Sequence, residues 1–241
     1  MSDALLDRPE RHPLRPAAAA AGLGRTVVVA PHADDESLAC GGLLALLARQ
    51  GVEAHVVVVT DGAASHVGSA AFPPARLAAV RAAEVREAVR RLGHGERTHL
   101  LGLPDGAAPM PGSPGFDDAA DVLRRLLARI APDTLVLPWR HDPHPDHVAS
   151  YLLADAAAPP GVRRVEVPVW AWHRGDRPPT ADTHSAWRLD VSSVRTEKAA
   201  AVAAHVSQTT GLIADAADAF VLTPALLAPF ERDWELYLEE V

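Results

Sequence analysis

The sequence predicts an α/β fold: a single-domain, Rossmann-like, doubly wound and mostly parallel sheet with helices on both faces. Runs of β-branched residues of strand length alternate with longer stretches of helical period, the pattern of strand–helix–strand crossover units. Proline or glycine stands at or just beyond the strand exits, as at Pro31, Gly62, Gly102 and Pro138, so the chain repeatedly turns at the sheet edge. No internal repeat or long low-complexity linker divides the chain, and one domain is expected.

The totals suit such a fold. A chain of 241 residues with 48% apolar residues can bury a sizeable core. Its net charge of −8, with no run of like charge, argues against a nucleic-acid surface and for small-molecule chemistry. The lone Cys40 excludes an internal disulfide and is expected in the core. Residues 17–21 are too short and too weakly apolar for a signal-peptide core, and no segment approaches the roughly 18 apolar residues of a membrane span. A cytoplasmic protein with neither membrane nor nucleic acid as partner is the expectation.

Residues 1–24 lack a clear period and are expected to be a poorly ordered or peripheral leader to a domain over 25–241. Residues 26–30, Thr-Val-Val-Val-Ala, read as a strand covered on both faces and stopped by Pro31. Leu38, Leu43, Leu44 and Leu47 give residues 37–50 a helical apolar face, which Gly51 closes. Residues 54–60 form the second strand, so a right-handed parallel crossover has begun. Residues 62–72, with His66, read as a loop over the same edge, and 74–92 as a helix with Leu77, Val80 and Ala88 on one side and arginines on the other. A short strand over 98–101 runs into a Pro- and Gly-rich loop reaching Gly115. Helical spacing over 117–130, a strand over 134–138 and a helix over 148–158 follow. Strands over 165–172 and 187–191, helices over 193–205 and 224–238, and a surface loop over 175–184 complete the expected elements. Trp139, Trp170, Trp172 and Trp187 are assigned to the core rather than to a sugar-stacking rim. In a doubly wound sheet the strands at 26–30 and 134–138 lie side by side, and ligands bind beyond their carboxyl ends.

Two clusters stand at those ends. His32, Asp34, Asp35 and Glu36 follow the first strand, and His144, Asp146 and His147 follow the fourth. His32 and Asp35 can face one point from a turn entering a helix, whereas Asp34 leaves in another direction. Pro145 suits the first position of a helix, which places His144 just before it and His147 in its first turn. Two histidines and one carboxylate with an open position is a ligand set used by hydrolytic zinc and equally by ferrous iron. Glu36 reads either as an outer partner of a ligand or as a first-turn acid favoured by the helix dipole.

Pro31-His32-Ala33-Asp34-Asp35-Glu36 with Cys40-Gly41-Gly42, and His144-Pro145-Asp146-His147, resemble the two signature motifs of the PIG-L/LmbE-like metal-dependent deacetylases. The likeness extends to Thr60-Asp61-Gly62, Arg81 with Glu84, Leu103-Pro104-Asp105-Gly106 and His205-Val206-Ser207-Gln208, and so covers roughly residues 25–210. It departs at Ala33, where Pro is more frequent, and at His141-Asp142, where some members carry a Tyr nearby. The resemblance implies hydrolysis of an N-acetyl group from an N-acetylglucosaminyl-type small molecule or glycoconjugate. On it, His32, Asp35 and His147 hold Zn²⁺, with Fe²⁺ or another divalent ion as alternatives. Asp34 is the general base, His144 steadies the oxyanion with Asp146 orienting it, and Arg81 and Asp105 contact substrate.

Elementary chemistry asks for the same parts. Amide carbons are poor electrophiles and amines poor leaving groups, so a site must supply a nucleophile at neutral pH, a donor at oxygen and a proton for nitrogen. His144 is expected to be a second cationic donor opposite the metal. For Arg81 and Asp105 the competing reading is a helix-face Arg paired with Glu84 and a turn Asp. His66 is a further candidate for the metal edge, and His205 with Gln208 for the pocket floor. Two other functions share these motifs: a metal-dependent hydrolase of a non-sugar N-acyl or ester substrate, and a non-catalytic amino-sugar-binding module. A dinucleotide site is excluded because no Gly-rich fingerprint follows the first strand.

Overall fold

The structure is a computed structural model that describes residues 4–173 and 178–241. Its elements are, in chain order, β1 (Leu14–Arg15), β2 (Thr26–Ala30), α1 (Asp35–Arg49), β3 (Ala54–Thr60), β4 (His66–Val67), α2 (Pro74–Arg91), β5 (Thr98–Leu103), α3 (Phe116–Ile130), β6 (Thr134–Pro138), α4 (Pro145–Ala157), β7 (Arg163–Val167), β8 (His184–Asp190), α5 (Arg195–Val202), α6 (Val206–Thr209), β9 (Asp218–Ala219), α7 (Pro224–Leu227) and β10 (Trp234–Glu240). The main sheet runs β1-β8-β10-β7-β6-β2-β3-β5. From β7 to β5 every pairing is parallel.

The valine runs explain why the sheet is covered on both sides. Successive strand residues face opposite ways: Val28, Val56 and Val58 pack with Leu43, Leu44 and Val85 of α1 and α2. Val27, Val29 and Val57 pack with Leu123, Leu127 and Leu153 of α3 and α4. β2 pairs with β6 in the register Thr26↔Thr134 to Val28↔Val136, as expected. From β2 the chain winds one way through β3 and β5, and from β6 the other way to β7, so a crevice opens between the ends of β2 and β6.

The C-terminal third differs from expectation. Residues 224–238 hold no long helix; α7 is one turn, a short 3-10 turn follows at Ala228–Phe230, and the chain then enters β10. Leucine and glutamate favour a helix locally, but β10 fills the gap between β7 and β8 and pairs antiparallel with both. Its buried Glu235 accepts backbone N–H groups of Gly42 (2.6 Å) and Leu43 (2.8 Å) and pairs with Lys198 Nζ at 2.8 Å. The strand expected over 165–172 stops at Val167, before Pro168, and Trp170–Trp172 form a 3-10 turn. The helix expected over 193–205 is a 3-10 turn at Ser192–Val194 leading into α5, which ends at Val202. The helix at 148–158 begins earlier, at Pro145. The leader lies along the sheet's outer edge: β1 pairs with β8, and Leu5, Ala20 and Leu23 are buried. Of the loop expected over 175–184, residues 175–177 fall outside the described residues, and His184 already belongs to β8.

Gly42 fixes how closely α1 approaches the β8 end. A Cβ there would lie 2.5 Å from Val191 Cγ1 and 2.9 Å from Glu235 Oε1. Overpacking of this kind typically costs about 1–3 kcal/mol. Gly42→Ala is therefore expected to lower the urea midpoint of unfolding with an unchanged m-value; an unaltered midpoint contradicts the packing described.

Candidate active site

The crevice holds both motifs. β2 ends at Ala30, and the turn through His32 enters α1, whose N-cap is Asp34. β6 ends at Pro138, and His144 caps α4 by accepting the Asp146 N–H at its Nδ1 (3.2 Å). Asp35 Oδ2 is the meeting point: it accepts the His32 N–H at 2.9 Å and lies 3.3 Å from both His32 Nδ1 and His147 Nε2. Donors on a tetrahedral ion at zinc distances stand about 3.4 Å apart, and the Asp35 oxygen has that spacing to each of the two histidines. His147 is fully buried, yet neither ring nitrogen makes a well-formed hydrogen bond. Buried polar atoms are rarely left so, and a ligand position explains Nε2. Nδ1 of His147 faces Asp142 Oδ1 at 3.4 Å, the carboxylate behind an imidazole that metal ligands commonly have.

His32 is backed in the same way. Its Nε2 lies 3.1 Å from Asp146 Oδ2 and 3.3 Å from Asp105 Oδ1. Asp146 also accepts N–H groups of Gly106 (2.8 Å) and Ala108 (3.1 Å), and Asp105 that of Ala64 (2.8 Å). Two groups cluster closely enough to ligate, His32 with His144 and His147, and His32 with Asp105 and Asp146; in the second, both carboxylates accept backbone N–H groups, as supports behind the ring do. Burial disfavours the His32 imidazolium, yet Asp105, Asp146 and Asp35 together hold its pKa well above the ordinary value. Burial likewise works against ionised Asp35, and His147 and His32 overcome it, keeping its pKa well below the usual range.

The resemblance placed the Asp146 carboxylate behind His144; it stands behind His32, and only the Asp146 main-chain N–H reaches His144. Asp146→Asn is accordingly expected to weaken metal binding by about 10–100-fold, the usual cost of losing an outer partner. Competition with a chromogenic chelator measures this, and an unchanged affinity contradicts the placement.

Asp34 is set apart from the ligand atoms. Its φ of 152° is one of two positive values among the described non-glycine residues, a conformation that costs energy and clusters at functional sites. Glu36 holds it: Glu36 Oε2 accepts the Asp34 N–H at 3.0 Å, while Oε1 accepts Ser37 Oγ at 2.6 Å and lies 2.9 Å from His205 Nε2. Glu36 thus braces the backbone of Asp34, and His205 backs Glu36. Burial raises the Asp34 carboxyl to about 6; Arg81, with Nη2 3.4 Å away, pulls it down and Asp35 pushes it up. Arg81 is buried, donates to the carbonyls of Ala33 (2.9 Å) and Gly62 (3.3 Å), and makes its ion pair with Asp34. Glu84 instead accepts the Ser207 N–H and hydroxyl, at 2.7 and 2.6 Å.

The surroundings of His144 favour its neutral form, against the cationic donor expected. Burial, then the neighbouring His32 and His147, depress its pKa to about 4. Because Nδ1 accepts a backbone N–H, the single proton belongs on Nε2.

A family profile described as PIG-L, GlcNAc-PI de-N-acetylase, matches residues 27–158. The chain belongs to the PIG-L family. Among curated PIG-L relatives, the 1D-myo-inositol 2-acetamido-2-deoxy-alpha-D-glucopyranoside deacetylase of Nakamurella multipartita is 34% identical over 161 residues, covering 56% of this chain and 55% of that protein. The chain spans about half the length of the curated relatives it matches first. A conserved protein of Thermus thermophilus is 29% identical, with a TM-score of 0.57 over 76% of this chain and 79% of its own. The zinc-inhibited form of teicoplanin deacetylase Orf2 has the same fold, with a TM-score of 0.66 at 20% identity over 90% and 98% of the two chains.

The PIG-L motifs therefore meet in one cavity of about 360 Å³, lined by His32, Asp34, Asp35, Arg81, Asp105 and His144 among others. Gln208 lines it too, whereas His66 is buried beside a neighbouring cavity, its Nδ1 3.1 Å from Ser65 Oγ. Two participants were not legible as such. Asp142 accepts the N–H groups of His144 (3.2 Å), Val169 (3.1 Å) and Trp170 (3.0 Å) as well as facing His147; its place beside the second motif was the only hint. Trp139 and Trp187 are core residues as expected, but Trp170 lines the cavity and stacks on His144, ring centroids 5.9 Å apart. Among the described residues no helix is long and apolar enough to cross a membrane.

Proposed function

We propose that the protein is a metal-dependent N-deacetylase of N-acetylglucosaminyl-type small molecules or glycoconjugates, with Zn²⁺ as its ion. The observation that carries this reading is the Asp35 oxygen set 3.3 Å from a nitrogen of each of two buried histidines, with Asp34 held in a strained conformation beside them. His32 Nδ1, Asp35 Oδ2 and His147 Nε2 would hold the ion. Lewis acidity, which brings the pKa of a water down to roughly 7, is the chemistry a divalent ion supplies there when bound.

The chain's own groups supply the rest. Asp34 accepts the proton that the attacking water loses as its oxygen bonds to the acyl carbon, and returns it to the amine nitrogen as the C–N bond breaks. Acetate and a free amine result. Burial raises the Asp34 pKa toward neutrality, where a group both takes and gives a proton readily. Arg81 keeps its carboxylate oriented. The His144 Nε2–H donates to the oxygen that gathers negative charge, and a neutral imidazole serves there as a hydrogen-bond donor. Asp105 and Arg81, which line the cavity, would be the groups to receive sugar hydroxyls there. Similarity to deacetylases of amino-sugar substrates supports the substrate class.

Acetate and amine release from a panel of N-acetylglucosamine conjugates, N-acyl amino acids and simple esters tests the reading. Equimolar acetate and amine from the amino-sugar members is expected. Ester or non-sugar amide hydrolysis without amino-sugar turnover overturns the substrate class, and metal-dependent sugar binding without acetate release overturns the enzyme.

A further inference from the structure

The imidazole of His144 is lightly tied for a group that must aim a hydrogen bond. Among the described residues one hydrogen bond reaches the ring, from the Asp146 N–H to Nδ1 at 3.2 Å. The torsion about an imidazole's Cβ–Cγ bond is broad, and a single bond of that length does not fix the ring plane. His32 meets the ring edge-on at 78° and His147 at 43°, with centroids 4.7 and 5.1 Å away. Of its ring neighbours only Trp170 lies nearly parallel, at 27° with centroids 5.9 Å apart, an offset stack.

Trp170 is itself firmly held. β7 ends at Val167, and beyond Pro168 Asp142 Oδ2 accepts the N–H groups of Val169 (3.1 Å), Trp170 (3.0 Å) and Ala171 (3.4 Å). The chain is thereby wound into the 3-10 turn Trp170–Trp172. Asp142 Oδ1 accepts the His144 N–H at 3.2 Å. One buried carboxylate thus fastens both the turn that carries the indole and the backbone that carries the imidazole. Phe220 meets the indole from a separate segment, centroids 5.5 Å apart at 53°.

Building on the deacetylase reading, we infer that Trp170 is a positioning residue for catalysis: its indole face holds the His144 imidazole in the plane that aims Nε2–H at the oxygen gathering negative charge. Such a donor acts only when its N–H points where the charge develops, and misplacement by about 1 Å costs about 100-fold in rate. A tryptophan that only lined the cavity would act on substrate binding, and one that held His144 acts on turnover.

Amine release from an N-acetylglucosamine conjugate by the zinc-loaded protein tests this. Trp170→Leu is expected to lower kcat by about 10–100-fold, with zinc affinity, read by chelator competition, unchanged. Trp170→Phe keeps a ring face and is expected to recover most of that loss. In a His144→Ala background the Leu substitution is expected to change kcat by no more than about twofold, because the group it positions is gone. A raised KM with unchanged kcat makes Trp170 a substrate contact and overturns the inference. So does a loss of kcat that persists in full without His144, or a Phe variant no better than Leu. Weaker zinc binding in Trp170→Leu places its effect at the metal and overturns it as well.

If no conjugate is hydrolysed, the deacetylase reading fails and the imidazole itself decides. Long-range proton–nitrogen correlation spectra of the zinc-loaded protein, with the His144 signals identified by their absence in His144→Ala, are expected to show a protonated Nε2 and a bare Nδ1. In Trp170→Leu the two nitrogen shifts are expected to move toward each other. Shifts already averaged in the unsubstituted protein, or unchanged in Trp170→Leu, overturn the positioning.

Discussion

Asp34→Asn is expected to bind its ion normally and to lose turnover by a factor of about 10²–10⁴, the range general acid–base groups contribute. Asn is nearly isosteric with Asp and tolerates positive φ better than most residues, so the 152° conformation at the α1 cap should survive. Its N–H still reaches Glu36, and its side-chain oxygen still faces Arg81 Nη2. What disappears is the capacity to take a proton. Metal analysis of the purified variant, together with amine release under saturating substrate, separates the two properties. A variant that turns over at the wild-type rate removes Asp34 from the mechanism. One that loses its ion makes Asp34 a ligand.

His147→Ala is expected to lose both. His147 lies in the first turn of α4, fully buried, with Nε2 on the Asp35 oxygen and Nδ1 on Asp142. Its loss leaves two inner donors where structural and catalytic zinc sites use three or four. Affinity should fall beyond the 10–100-fold that an outer partner costs, and turnover with it. Chelator competition and circular dichroism on the same sample distinguish a vacated site from an unfolded chain. Retention of one ion per chain at wild-type affinity contradicts the ligand assignment.

Where the fold was legible, the reason was local. Four small or β-branched residues after Thr26, stopped by Pro31, read as a doubly covered strand, and a doubly wound sheet then puts that strand beside residues 134–138. The motifs inherit their convergence from this topology. β10 was not legible, because Trp-Glu-Leu-Tyr-Leu-Glu-Glu is as good a helix as a strand until the open edges of β7 and β8 are known. The roles around the ligands were hidden for a related reason. Whether Asp146 supports His32 or His144 depends on a rotamer and on the approach of the loop at Gly106, not on spacing. Asp142 works mainly by accepting backbone N–H groups, and Glu36 by accepting one together with two side chains, uses open to any acid in a turn. The lowered pKa of His144 comes from its burial and then from two imidazoles brought close after β2 and in α4. Trp170 joined the cavity because its strand stops short at Pro168 and Asp142 gathers the following N–H groups into a turn.

The central claim is one ion held by His32, Asp35 and His147, with Asp34 as the base beside it. The most direct test is a titration of chelator-stripped protein with Zn²⁺, following amine release from an N-acetylglucosamine conjugate at each addition. Activity is predicted to rise in proportion to added ion and to stop at one equivalent per chain. Full activity in the stripped protein, or no activity at one bound equivalent with any amino-sugar conjugate, contradicts it.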